Sequence, residues 1–120
     1  MGYIRPVDLE VYKRAFSVAI ELHKLSLEWP KIEQYGGIAD QIRRASKSIC
    51  ANLAEGLGKH MSAADKRKFV QIALGSAEET GVWLQFSVEL GYLHASERER
   101  LAKEYGEICS MLYGLMQKIQ

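Results

Sequence analysis

The sequence predicts an all-α protein: a single domain over residues 1–120, folded as an antiparallel up-down-up-down four-helix bundle. Apolar residues recur at the helical period in four successive segments, and no segment alternates apolar and polar residues as a half-buried strand would. The stretches between the segments are short and contain glycine or proline. Short connections place consecutive helices antiparallel, which favours the up-down bundle.

The composition is typical of a globular domain. Of the 120 residues, 48% are hydrophobic and 26% are charged, so one core can form without covalent or metal staples. No apolar run reaches the ~20 residues of a membrane span, and the first residues lack the apolar core of a signal peptide. We therefore expect a cytoplasmic protein in which Cys50 and Cys109 are buried thiols rather than a disulfide.

The first predicted helix has Asp8 as its N-cap and ends near Trp29, because Pro30 disfavours helical geometry in the residue before it. Its apolar residues cover roughly 200° of the circumference, more than the ~100° that one core requires. One stripe consists of Val11, Ala15, Val18, Leu22, Leu25 and Trp29. A second, on almost the opposite side, consists of Leu9, Tyr12, Phe16, Ile20, His23 and Leu27. We expect one face to contact another subunit; in an alternative architecture, this helix leaves a three-helix core and packs on a neighbour.

The second predicted helix begins near Ile38, after the flexible pair Gly36 and Gly37, and ends at Gly56 as a left-handed C′ residue. Its core stripe consists of Ile38, Ile42, Ala45, Ile49 and Leu53. Beside it runs a narrow polar stripe that consists of Gln41, Arg44, Ser48, Asn52 and Glu55. This polar stripe is not needed to fold a monomer, so we interpret it as a polar seam within the bundle or between subunits.

Two capping boxes predict the starts of the last two helices, Ser62 with Asp65 and Ser96 with Glu99, and Gly91 ends the third helix. The third helix has a heptad stripe that consists of Ile72, Ser76, Glu79, Trp83, Phe86 and Leu90. Phe69, Ala73, Ala77, Leu84 and Val88 widen this apolar face, so burial around most of the circumference is expected. The fourth helix has a seam that consists of Leu101, Tyr105, Ile108, Leu112, Leu115 and Ile119.

No catalytic, phosphate-binding or metal-binding signature is present, so no enzymatic activity and no cofactor are predicted. His23, His60 and His94 are far apart, and none is spaced with a carboxylate as in metal-binding bundles. A carboxylate on an apolar stripe is costly unless paired, so we expect Glu79 to form an ion pair with Arg43 or Arg44. The alternative hypothesis is a small metal-binding or enzymatic bundle that uses Glu79, Glu55 and a histidine.

The positive charge is concentrated between Arg43 and Lys68, where seven basic and two acidic side chains give a local net charge of +5 in a chain of net charge +1. The candidate nucleic-acid-binding residues are Arg43, Arg44, Lys47, Lys59, Lys66, Arg67 and Lys68. They form two groups at the two ends of the second helix, more than ~20 Å apart. A ring of subunits would join such groups into a larger surface.

The second helix carries a dense run of distinctive residues: Gln41 to Ala45, then Ser48 and Ile49, then Asn52 to Gly56 with Gly58. This run resembles the signature of the bacterial four-helix-bundle proteins encoded in intervening sequences of large-subunit ribosomal RNA genes. Further matches are Leu9, Tyr12, the segment from Ala73 to Ser76, Glu79 and the segment from Leu90 to Leu93. Gly81 stands where the family often has a second glutamate, and Cys50 where a proline is common.

The resemblance implies a four-helix bundle that assembles into a homo-oligomeric ring, with a pentamer expected. The family is similar in fold to the accessory proteins of diversity-generating retroelements, basic rings that bind a reverse transcriptase and nucleic acid. It therefore implies RNA, DNA or a nucleic-acid-processing protein as partner. From the residues and the resemblance together, we expect a non-enzymatic oligomeric binding or scaffold protein.

Overall fold

The computed structural model describes residues 3–119 and is all-helical over that range. The four α-helices are α1 (Glu10–Ser26), α2 (Ile38–Gly56), α3 (Ala63–Glu89) and α4 (Ala95–Lys118). Short 3-10 turns at Pro6–Asp8 and Lys31–Glu33 precede α1 and α2. The predicted all-α four-helix fold is thus confirmed. Across the described range, no helix is both long and apolar enough to cross a membrane.

Each helix packs on two neighbours: α1 on α2 and α4, and α3 on α2 and α4. The bundle is therefore a square array, as expected for an up-down-up-down order, with extents of 47 × 25 × 20 Å. Helix α1 stays on its own core, where Val11, Ala15, Val18 and Leu22 are buried, unlike in the alternative with a donated first helix. Cys50 and Cys109 are free thiols, the first buried and the second half-buried, in agreement with the sequence prediction.

Ion pairs connect α1 and α4, which share fewer contacts than the other adjacent helices. Arg14 Nη2 lies 2.8 Å from Glu104 Oε2 and 2.8 Å from Glu107 Oε1, and Arg100 pairs with Glu21. The Arg14 guanidinium holds the pKa of the Glu104 carboxyl below its usual range by hydrogen bonding to the carboxylate. These ion pairs join α1 to α4, where the packing between adjacent helices is least extensive.

Two of the predicted helix starts are wrong. Asp8 lies in the Pro6–Asp8 turn and pairs with Arg5 at 3.0 Å, so the N-cap of α1 is Leu9; α1 ends at Ser26, three residues before the buried Trp29. The N-cap of α4 is His94 rather than Ser96, and the His94 N–H donates to Glu97 Oε1 at 3.4 Å. The preceding Leu93 is buried, and α4 begins two residues after it, at Ala95.

The other predicted helix ends are observed. Ser62 caps α3, with its Oγ accepting from the Asp65 N–H at 3.1 Å. Gly91 has φ +80° and follows α3 in a Schellman motif. In this motif the Tyr92 N–H donates to Ser87 O at 2.8 Å, and the Gly91 N–H donates to Val88 O at 3.0 Å.

Gly56 does not adopt the predicted left-handed conformation. It is the last residue of α2 and is not among the residues with positive φ, which in the described range are Gly36 and Gly91. A Cβ at Gly56 would lie 2.0 Å from Phe69 Cβ and 2.3 Å from Phe69 Cγ. Glycine is therefore required here because the side chain of Phe69, on α3, lies against the α2 backbone.

The buried face of α3 is narrower than predicted, and it centres on the flank that holds Ala73, Ala77 and Leu84 rather than on the heptad stripe. Most of the buried positions are small or polar: Val70, Ala73, Ser76, Ala77, Thr80, Leu84 and Ser87. Thr80 Oγ1 donates to Ser76 O at 2.8 Å and Ser87 Oγ donates to Trp83 O at 2.7 Å, so these hydroxyls are buried with their hydrogen bonds made. Ile72, Phe86 and Leu90 are instead 44%, 50% and 50% exposed. Small side chains let α3 approach its neighbours closely, which leaves the large ones outside.

Tyr105 places an unpaired hydroxyl in the core. Its side chain is 2% exposed, and its OH finds no hydrogen-bond partner among residues 3–119. Burial raises the pKa of this phenol. No hydrogen bond offsets the cost of removing this OH from water. Tyr105→Phe is therefore expected to raise the free energy of unfolding by about 1 kcal/mol, measured by urea denaturation.

Tyr92→Phe is the matched control, because the Tyr92 OH donates to Glu33 Oε2 at 2.7 Å. This change removes a satisfied hydrogen bond and is expected to lower the free energy of unfolding by about 1 kcal/mol. A loss of stability in Tyr105→Phe as large as that in Tyr92→Phe would show that the Tyr105 hydroxyl has a partner.

Candidate interaction surfaces

The acidic residues of the alternative enzymatic hypothesis do not form a cluster. Over residues 3–119, no three His, Cys, Asp or Glu side chains lie close enough together to hold a metal ion. Glu79 is exposed and accepts a hydrogen bond from Trp83 Nε1 at 3.0 Å. Glu55 is exposed near the end of α2. The structure therefore does not bring Glu79, Glu55 and a histidine together.

The predicted ion pair of Glu79 with Arg43 or Arg44 is wrong for this chain. Arg44 Nε pairs with Asp40 Oδ1 at 2.9 Å, one turn earlier on α2. Arg43 points to the opposite flank of α2 and bonds Ser26 and Gln34. Glu79 needs no such partner, because the heptad stripe that carries it lies largely at the surface.

The side chain of Arg43 forms hydrogen bonds within the bundle and is not free to contact nucleic acid. Its Nη1 donates to Ser26 Oγ at 2.8 Å, and its Nη2 donates to Gln34 Oε1 at 3.0 Å and Gln34 O at 3.2 Å. Gln34 Nε2 in turn donates to Ser26 O at 2.8 Å and Trp29 O at 3.0 Å. Arg43 thus holds the loop between α1 and α2 against the bundle.

The other two basic residues near the start of α2 are exposed. The Arg44 side chain is 75% exposed. Lys47 Nζ donates to His23 Nδ1 at 2.9 Å, a contact that requires a neutral imidazole. Burial, followed by the charges of Lys47 and Arg43, lowers the pKa of His23, so the imidazole stays neutral at physiological pH. Lys47 therefore carries a positive charge whose nearest polar contact is uncharged.

The second basic group lies at the other end of the bundle. Lys59 and Lys66 line a cavity of about 740 Å³ together with Lys118, which the sequence reasoning missed because it is distant in sequence. Arg67 Nη1 donates to Ile119 O at 2.9 Å, and Lys68 is exposed. The structure therefore keeps the two predicted basic groups separate and adds one lysine to the second.

The polar stripe of α2 faces α3. Ser48 and Ser76 lie 2.9 Å apart between their Oγ atoms. Asn52 Nδ2 donates to Ser48 O at 2.8 Å and to Ser48 Oγ at 2.9 Å, which positions the Ser48 hydroxyl. Gln41 is half-buried. The middle of the stripe thus forms hydrogen bonds within the bundle, while Arg44 and Glu55 point to solvent.

A first apolar surface lies on α1 beside α2. Phe16, Ile20 and Leu27 are 53%, 42% and 55% exposed, and Tyr12 stacks on Phe16 with ring centroids 6.2 Å apart. Here α1 and α2 border a pocket of about 270 Å³, which we call the α1 pocket; it is lined by Tyr12, Phe16, Ala19, Ile20, Lys47 and Cys50. Burial raises the pKa of the Cys50 thiol to about 11, so this cysteine is not a nucleophile at neutral pH.

A second apolar surface lies on α3, on the side of α3 that borders α2. We call it the α3 ridge; it consists of Ile72, Trp83, Phe86 and Leu90. The Trp83 and Phe86 rings are 5.9 Å apart between centroids. The exposed carboxylates Glu79 and Glu89 lie on the same helix within one turn of these rings. Exposed apolar surfaces of this kind, with polar residues around them, mark protein interaction sites.

The fold and these surfaces define the class of protein: a small helical bundle with two exposed apolar faces. Residues 7–114 match the model of the 23S rRNA-intervening sequence proteins, and the chain belongs to this family. The resemblance of the second helix to that family is therefore confirmed.

The chain is also similar to a crystal structure described as a protein with unknown function from the S23 ribosomal protein family of Bacteroides thetaiotaomicron. The identity is 25% and the TM-score 0.80, over 90% of this chain and 96% of that chain. No curated protein matches.

Proposed function

We propose that the protein is a non-catalytic scaffold that assembles into a homo-oligomeric ring, with a pentamer as the expected state, and that the ring binds RNA. The observation that carries this proposal is the exposure of Phe16 and Ile20 on α1 and of Leu27 at its C-cap. These residues lie outside the monomer core, and their contact with water is unfavourable by about 25 cal/mol per Å² of apolar surface. Association with other copies would bury them.

Assembly would also strengthen the positive charge available to RNA. In one subunit, Lys59, Lys66 and Lys68 form a small group, and a single group of this size binds phosphates weakly. A ring repeats the group once per subunit, so a strand that follows the ring contacts several groups at once. A nucleic-acid-processing protein is the other partner that the family resemblance implies.

Light scattering at micromolar concentration tests the assembly. We expect a mass of several subunits that persists on dilution, because burial of the exposed apolar side chains drives the association. Tyr113 is 54% exposed on α4, away from both apolar surfaces, so Tyr113→Glu is the control that should retain the wild-type mass. A wild-type monomer would remove the proposal.

RNA binding is tested by fluorescence anisotropy at several salt concentrations. We expect the affinity to fall steeply with salt, and Lys59→Glu with Lys68→Glu to weaken it while leaving the oligomer intact. Lys103→Glu, at an exposed position on α4, is the matched control. Absent or salt-independent binding by an intact oligomer would exclude RNA as the partner and leave a protein partner for the scaffold.

A further inference from the structure

The two apolar surfaces occupy different sides of the bundle. The α1 pocket lies where α1 meets α2, and the α3 ridge lies where α3 meets α2. These are adjacent sides of the square array, because α2 is shared by both and α1 packs on α4 rather than on α3. A contact between the two surfaces would therefore join unlike sides of two copies, the arrangement that produces rings or filaments.

One of the two surfaces is concave and the other carries a projecting ring. The α1 pocket holds about 270 Å³ and has a small residue, Ala19, among the larger Tyr12, Phe16 and Ile20. The α3 ridge projects Phe86, which is 50% exposed and is supported from one side by Trp83. The pocket is large enough for one aromatic side chain, and aromatic rings inserted in pockets are typical anchors of protein interfaces.

The charges decide which surfaces pair. At the α1 pocket, Lys47 has no carboxylate within 4 Å among residues 3–119, since its contact is the neutral His23. At the α3 ridge, Glu79 and Glu89 form no ion pair within that same range. Two α1 pockets facing each other would bring lysines together, and two α3 ridges would bring glutamates together. The unlike pairing places opposite charges beside each other.

We propose that Phe86 of one copy occupies the α1 pocket of the next, so that copies join head to tail within the proposed ring. This inference rests on the proposed self-assembly and specifies its interface. Adjacent sides of a square bundle face about 90° apart, so successive head-to-tail contacts turn about the long axis of the bundle, as a ring requires. Lys47 then belongs to the interface rather than to the surface that contacts RNA.

A complementation experiment tests the proposal on the full chain. Phe86→Glu removes the projecting ring of the α3 ridge and keeps the α1 pocket, and Ile20→Glu places a charge in the α1 pocket and keeps the α3 ridge. Each variant alone is expected to be monomeric by light scattering. An equimolar mixture retains one intact interface per pair and is expected to give a heterodimer of twice the subunit mass, without larger species.

The outcomes separate this interface from self-assembly in general. A wild-type monomer would overturn the proposed function and the interface together. If Phe86→Glu assembles like the wild type, the proposed interface is wrong although self-assembly stands. The same holds if both variants are monomers and their mixture stays monomeric. Circular dichroism verifies that each variant is folded, and Leu90→Glu and Phe16→Glu replace any variant that is not, since both positions are about half exposed.

Discussion

Gly56→Ala is expected to lower the free energy of unfolding by about 3 kcal/mol, the upper part of the range for overpacking a core. The added Cβ would lie 2.0 Å from Phe69 Cβ, and this atom cannot move unless the α3 backbone moves. Helices α2 and α3 would have to separate where they are in contact, which also disturbs Leu57 and Val70 in the core nearby. Urea denaturation with a constant m-value would measure the loss.

Gly75→Ala is the matched control. Gly75 also lies in a helix, and a Cβ there would meet no atom within 4 Å. The same substitution should therefore raise the free energy of unfolding by about 1 kcal/mol, because alanine loses less conformational entropy in a helix than glycine. Equal shifts in the two variants would show that the contact between Gly56 and Phe69 is not tight.

Arg43→Met is expected to lower the free energy of unfolding by about 2 kcal/mol, a typical loss for hydrogen bonds made by a charged group. The change removes three hydrogen bonds, one to Ser26 and two to Gln34, and leaves the Gln34 carbonyl groups without this donor. Since Gln34 also bonds Ser26 and Trp29, the connection between α1 and α2 should loosen. Hydrogen exchange in residues 27–37 should rise together with the loss of stability.

Arg44→Met provides the comparison at the neighbouring position. Arg44 is 75% exposed and pairs with Asp40 one turn away, so its loss should cost about 0.5 kcal/mol or less. Both variants remove one positive charge and add the same side chain, so their difference reports the local contacts. Similar losses at the two positions would contradict the structural role of Arg43.

Most of the helical framework could be predicted from residues near one another in the sequence. Ser62 and Gly91 mark the two ends of α3 through local geometry, and the two apolar stripes of α1 are visible in the helical period. The start of α4 was misplaced by two residues, since Ser96 and Glu99 satisfy the same local pattern as the observed cap. The local pattern therefore offers two possible starts, and it does not show that Leu93, just before the observed cap, is buried in the core.

The candidate surfaces could be predicted only in part, because they are formed by residues that are far apart in the sequence. Arg43 and Arg44 are adjacent in sequence, yet one bonds the connection before α2 and the other is exposed, because neighbouring residues on a helix point about 100° apart. Lys118 joins Lys59 and Lys66 through the meeting of chain segments far apart in sequence. The two basic groups are separate, as the sequence predicts. The sequence could not show which of Arg43 and Arg44 is exposed and which is bonded within the bundle.

The sequence by itself determined that this chain forms four helices, roughly where they end, and the family to which it belongs, since these follow from local periodicity and a local signature. The tertiary structure alone decided which face of α3 is buried. Hydrophobicity favoured the face with Trp83 and Phe86, but the face that packs in the bundle holds mainly small side chains such as Ala73, Ala77 and Thr80, beside Val70 and Leu84. The large residues remained outside because helix spacing, rather than apolar character, limits what a core can hold.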